Sequence, residues 1–213
     1  MGEELNHYYS KKEERLNIIT HAFGFLLSLF VLPFLIIKSL NYHGFWKPAS
    51  LIIYGLSLIM LYAASTLYHL ATETSKRRIL NIFDHSAIYI LIAGTYTPFT
   101  IIALEGVLGW IIFVVTWIFA FVGIVLKLFF TGRFDKLSTA MYLLMGWQIL
   151  FVIDALIQNI NPKGLYFLLA GGVFYTLGAV FYSIKKINYN HAIFHVFVVL
   201  GSFCHFFTVF YCM

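Results

Sequence analysis

The chain has 213 residues, 61% of them hydrophobic and only 11% charged, with a net charge of +5. Its apolar residues run in long consecutive blocks, which excludes the periodic stripes of a soluble domain and the every-other-residue alternation of an outer-membrane barrel. The basic residues are spread over short segments between these blocks, so they do not make the concentrated face that nucleic acid binding needs.

A membrane-spanning helix needs about 20 mostly apolar residues, and such stretches predict an all-α, seven-transmembrane helix bundle. The spans fall at about residues 18–40, 49–70, 79–103, 107–130, 139–157, 165–184 and 191–212. Residues 1–16 form a charged N-terminal segment. The first apolar block is about 23 residues long and has no small-residue cleavage site, which argues against a removable signal peptide. Short loops and the absence of any Pro/Ser/Gly-rich linker predict one integral membrane domain over residues 1–213.

Taken in chain order, span one opens with Glu14, Asn17 and His21, spaced three and four apart and so on one helix face. A role supporting or gating a nearby site is favoured for them over a simple helix-entry role. Span two ends in Ser65 and His69, again on one face. Span three carries Asp84 near its start, with His85 about 100° away around the helix and read as a non-ligand. Further along, Gly94, Thr95, Tyr96 and Pro98 predict either a kink that shapes a cavity or ordinary close packing. Asp154 falls in the outer part of span five, far from the other polar residues. Gly171 and Gly172 predict close packing in span six. Span seven begins with His191 and His195, one above the other on one face. His205 lies about 15 Å deeper, too far to join them, and is expected to hydrogen-bond to another helix. Cys204 and Cys212 read as packing residues, and His7 and His43 as exposed loop residues.

Lys11, Lys12, Arg15, Lys76, Arg77, Arg78, Lys127, Arg133, Lys136, Lys185 and Lys186 all fall on one side of this topology, against Lys38, Lys47 and Lys163 on the other. The positive-inside rule therefore predicts a cytoplasmic N-terminus and, with seven spans, a C-terminus outside. His69, Asp84, His191 and His195 then share one depth near the cytoplasmic leaflet. A carboxylate at membrane depth costs about 2.5 to 3.5 kcal/mol on insertion scales, so their convergence needs a common explanation.

A bound metal supplies one. Three neutral imidazoles suit zinc, and three protein ligands leave a fourth position for water. Imidazole also suits iron, copper and nickel. Asp84 could coordinate directly or hold the bound water, and Ser65, one turn before His69, is placed to orient a ligand or a substrate carbonyl. The residues between His191 and His195 include no glutamate, unlike the soluble metalloprotease motif, so Asp84 is the candidate general base. A proton relay or a structural polar network is the alternative reading.

In combination, Glu14-x-x-Asn17-x-x-x-His21, Ser65-x-x-x-His69, Asp84 with Gly94-Thr95-Tyr96-Thr97-Pro98, and His191-x-x-x-His195 resemble the bacterial hemolysin III proteins, within the progestin and adipoQ receptor superfamily. The resemblance covers almost the whole chain. Similarity to the adiponectin receptors implies zinc held by His69, His191 and His195, with a water linked to Asp84. Similarity to the alkaline ceramidases implies hydrolysis of a lipid-like amide, with Asp84 and Ser65 as the catalytic pair and membrane lipids as partners. The expectation is thus a zinc-dependent hydrolase of the inner cell membrane. A lipid-responsive receptor or sensor with structural zinc, or a pore-forming cytolysin, is the alternative.

Overall fold

The computed structural model describes residues 9–131 and 134–212, apart from the side chains of Asp135 and Cys212. His7, Arg133 and the Cys212 side chain, each given a role above, lie outside the described residues. The helices are α1 (Lys11–Ser39), α2 (Trp46–Leu70), α3 (Thr74–Pro98), α4 (Gly106–Phe130), α5 (Asp135–Trp147), α6 (Ile153–Asn159), α7 (Pro162–Ser183) and α8 (Asn190–Cys212). With α5 and α6 counted as one interrupted crossing, seven stretches among the described residues are long and apolar enough to span a membrane. Helices are the open-chain solution there, because lipid offers no partner for a backbone N–H or C=O.

Contacts run from α1 to α2, α3, α5, α7 and α8 and back to α1, closing a ring, while α4 packs outside on α3 and α5. The ends of α2, α4 and α7 and the starts of α1, α3, α5 and α8 share one end of the bundle, called here the N-terminal end. At the far end, the Trp46 and Trp110 rings meet edge to face at 5.0 Å, beside a Lys47–Glu105 ion pair of 2.5 Å. Trp at the end of a span suits an interface where an amphipathic ring meets both lipid and water.

Two elements differ from the sequence expectation. Helix α1 starts at Lys11, well before the apolar block, because the Ser10 side chain caps it by accepting from Glu13 N at 3.2 Å. Glu14 is therefore held on a helix and not in a free N-terminal segment. The fifth crossing breaks into a tight 3-10 turn, Gln148–Val152, between α5 and α6.

Tyr96 accounts for that break. Its hydroxyl donates to Gly146 O at 2.7 Å and accepts from Ile149 N at 2.9 Å, so one phenol on α3 serves two backbone groups where the helical pattern changes. Gly94, two residues earlier, lies so close to α2 that an added Cβ would collide with Ser57. Beyond Pro98, α3 widens into a π-helical turn, Phe99–Ala103. The Gly-Thr-Tyr-Thr-Pro patch therefore packs α3 against α2 and holds open the backbone of α5 opposite.

Candidate metal centre

At the N-terminal end, α2 and α8 bring His69, His191 and His195 together. All three are buried, and one ring nitrogen from each lies within 4.8 Å of the other two. His69 Nε2 and His191 Nε2 are 3.2 Å apart. Two ligands on a tetrahedral ion at 2.0–2.1 Å would stand about 3.3 Å apart, so this spacing fits a metal between them.

The other ring nitrogens of His69 and His195 are held from behind. His69 Nδ1 lies 2.7 Å from Glu14 Oε2, and His195 Nδ1 lies 3.4 Å from Asn17 O. With Nδ1 donating to an oxygen, each ring presents its Nε2 lone pair to the shared space, the arrangement that fixes tautomer and orientation in metal-binding histidines. Glu14 is fixed in turn by Arg77 Nη2, while Arg77 Nη1 donates to Ala71 O at 3.1 Å, at the end of α2. The chain Arg77 to Glu14 to His69 thus ties α3, α1 and α2 together behind one imidazole. Glu14 and Asn17 of the polar stripe of α1 thus contact two of the three histidines from behind.

His21, the last member of that stripe, stacks on His195 with ring centroids 3.5 Å apart and planes within 10°. Its edge meets Tyr62 at 5.2 Å. It stands outside the three-histidine set. On the N-terminal side Tyr9 stacks on His191 at 4.7 Å, and Tyr68 lies against His69 at 4.7 Å with Arg77 over its ring. Arg77, Tyr9 and Tyr68 were not singled out from sequence. Arg77 read only as a topology charge, and neither tyrosine sits in a spacing that would have marked it.

Asp84 is buried and faces the same cavity as His191 and His195, but it too stands outside the trio. Ser65 is fully buried beside the Asp84 carboxylate. His85 lines the cavity without joining the set, His43 and Asp154 are exposed, and His205 bonds from α8 to Leu168 O on α7 at 3.3 Å. These four placements agree with the sequence reading.

The cavity runs from the histidines between α3, α5, α7 and α8. It holds about 140 Å³ of room for the centres of water-sized atoms, against the roughly 10–15 Å³ one water needs on that measure. Its atom-free space, open mouth included, is about 1200 Å³. Leu61, Ile88, Leu91, Ile92, Leu143 and Val198 give it a largely aliphatic wall.

The sequence profile of the Haemolysin-III related family matches residues 9–206. The chain is 47% identical to the "Hemolysin-3 homolog" of Bacillus subtilis (strain 168) over 96% of its own length and 97% of that protein. It is 44% identical to the "Hemolysin-3" of Bacillus cereus, over 93% and 90%. A more distant match, at 28% over 92% and 83%, is the human "Monocyte to macrophage differentiation factor". A multi-pass membrane bundle with three converging histidines, matched by this profile along nearly its whole length, belongs to the haemolysin III-related family of the progestin and adipoQ receptor superfamily.

Proposed function

We propose that the chain is a zinc-dependent hydrolase of a lipid-like amide, resident in the inner cell membrane with its N-terminus in the cytoplasm. One observation carries the reading: three buried imidazoles converge, two of them with Nε2 atoms 3.2 Å apart, and His191 and His195 of this trio line an aliphatic cavity that also holds a buried carboxylate. His69, His191 and His195 would hold the ion, and zinc suits three neutral imidazoles with one position to spare. When bound, such an ion polarises a carbonyl oxygen and lowers the pKa of a water to about 7.

The remaining roles fall to the chain itself. Asp84, facing the cavity, accepts the proton of the attacking water and returns it to the leaving amine nitrogen. Ser65 beside it orients the carboxylate. Glu14 and Asn17 hold the His69 and His195 imidazoles in one tautomer, so neither ring must turn during the reaction. The aliphatic wall binds the acyl chain and keeps bulk water from the amide. The basic residues near the N-terminal end support the cytoplasmic placement of the site.

A sensor with structural zinc would call for a closed four-ligand site, whereas the metal-capable group among the described residues has three members. The relatives named hemolysin suggest lysis, but a pore needs a continuous polar path, and this wall suits an acyl chain better than an ion.

Elemental analysis of detergent-purified protein tests the reading. About one zinc per chain is expected, lost in the double variant His191→Ala plus His195→Ala, together with lipid-amide hydrolysis that Asp84→Asn abolishes. A well-folded preparation that takes up no zinc on reconstitution would sink it.

A further inference from the structure

Below the histidines, the cavity carries a second polar site. On α8 the buried residues His191, His195, Val198 and Ser202, followed by His205, recur at spacings of four and three, so they form one continuous face. Tyr182 meets His191 at 5.5 Å between ring centroids, and Tyr175 lies two turns further along the same face of α7. Ser202 and His205 lie roughly 10 and 15 Å beyond His195 along the helix axis.

The polar atoms at this second level do not satisfy one another. Tyr62 Oη donates to Ser202 Oγ at 2.8 Å, and Tyr175 Oη shares a hydrogen bond with Ser202 Oγ at 2.8 Å. With Tyr62 donating to Ser202 and Ser202 donating to Tyr175, the Tyr175 hydroxyl proton is the one that the triad's mutual bonds leave over. His205 Nε2 lies 3.3 Å from Leu168 O, which makes Nε2 the protonated nitrogen and leaves Nδ1 an acceptor. That Nδ1 is buried with no hydrogen-bond partner among the described residues. The Tyr175 and His205 rings are 5.3 Å apart, edge to face, and both line the cavity.

Both rings are seated by glycine. A Cβ on Gly171 would collide with the His205 ring, and one on Gly201 would press to 2.8 Å from the Tyr175 ring. Each helix gives up a side chain where the other's polar ring enters, so the pair is held in place by close backbone approach.

We infer that this pair is a second recognition site, and that the cavity takes an acyl amide bearing a hydroxyl group in mid-chain. A hydroxyl both donates and accepts, so it can donate to His205 Nδ1 while accepting the Tyr175 hydroxyl proton. A keto oxygen only accepts and would leave Nδ1 unsatisfied. An extended chain advances about 1.2 Å per bond, so 10 to 15 Å corresponds to roughly 8 to 12 bonds between the carbonyl at the histidines and the hydroxyl-bearing carbon. The inference rests on the lipid-amide reading above and names the class of amide.

Binding to the full-length, zinc-loaded protein carrying Asp84→Asn to prevent turnover, measured in detergent by native mass spectrometry, tests it. The probes are the ethanolamides of 12-hydroxystearic, 2-hydroxystearic and stearic acid. The 12-hydroxy compound is expected to bind about ten-fold tighter than the other two, from two added hydrogen bonds. Tyr175→Phe, which removes one oxygen, and His205→Phe should each erase most of that preference while leaving stearoyl binding within about two-fold. Size-exclusion and melting profiles identify a variant that has failed to fold, and Tyr175→Phe alone then decides. Equal binding of all three probes, or a preference that survives in folded Tyr175→Phe, overturns this inference and leaves the hydrolase reading intact. Binding of none of them overturns both.

Discussion

Helices α3 and α4 are neighbours in the same bundle, yet 78% of the apolar stretch of the α3 crossing is buried against 22% of that of α4. The more polar helix is the one inside. Asp84, Ser86, Thr95 and Thr97 of α3 are buried, while Val107, Ile111, Ile118 and Phe121 of α4 face outward. Lipid cannot satisfy a hydroxyl or a carboxylate and charges nothing for an exposed isoleucine, so polar side chains gather where helices meet. The lesson is that burial in this chain follows polarity. The proposed metal site draws on α1, α2, α3 and α8 of the ring, and α4 braces that ring from outside.

The strongest way to break this contrast is to change side-chain bulk on each helix. Gly94→Leu would drive a side chain from α3 into Ser57 of α2, and overpacking at such a contact costs about 1 to 3 kcal/mol or more. Ile118→Ala on α4, where the residue is 57% exposed, is expected to stay within about 0.5 kcal/mol. Thermal unfolding in detergent should therefore show a midpoint lowered by several degrees in the first variant and little movement in the second. Similar losses in both would mean that α4 is not a peripheral brace.

A smaller effect sharpens the same contrast within the polar interior. Glu14→Gln keeps the shape behind His69 but weakens the acceptor for its Nδ1–H and the tie to Arg77. Loss of such an outer partner typically costs 10- to 100-fold in metal affinity. Competition with a chelator should register a drop of about that size in zinc affinity, with the unfolding profile little changed. Unaltered affinity would mean that the Glu14 contact does not orient His69.

Much of this was legible in the sequence because lipid imposes simple rules. Backbone groups must bond within each crossing, so every span announces itself as an apolar block of sufficient length. The i, i+4 spacing of His191 and His195, and of Ser65 and His69, gave their faces, and span topology brought those faces to one level. Contacts set by packing between distant segments were not legible. The break at Gln148–Val152 depends on a hydroxyl from Tyr96, 50 residues away from the carbonyl it serves. Arg77 reaches Glu14 across 63 residues of chain, and Tyr9 covers His191 from the far end of the sequence. No local period encodes such pairs.

The smallest expected effect compares the two ends of the bundle through the same chemistry. Lys47–Glu105 at the far end and Arg77–Glu14 at the N-terminal end are both ion pairs, but the first has side chains 37% and 62% exposed and the second 12% and 16%. An exposed pair is screened by solvent and loses side-chain entropy on forming, so Lys47→Ala should cost less than about 1 kcal/mol. What it does cost should shrink further as salt is raised, and zinc affinity should not move at all. Arg77→Met removes the partner of a carboxylate that is mostly covered and tied to His69, so its cost should persist at high salt and should appear in the chelator competition as well. Parallel salt titrations of the two variants separate the cases. If Lys47→Ala altered metal binding, the two ends would be mechanically coupled through the bundle, and the far-end pair would have to be treated as part of the machinery that shapes the site.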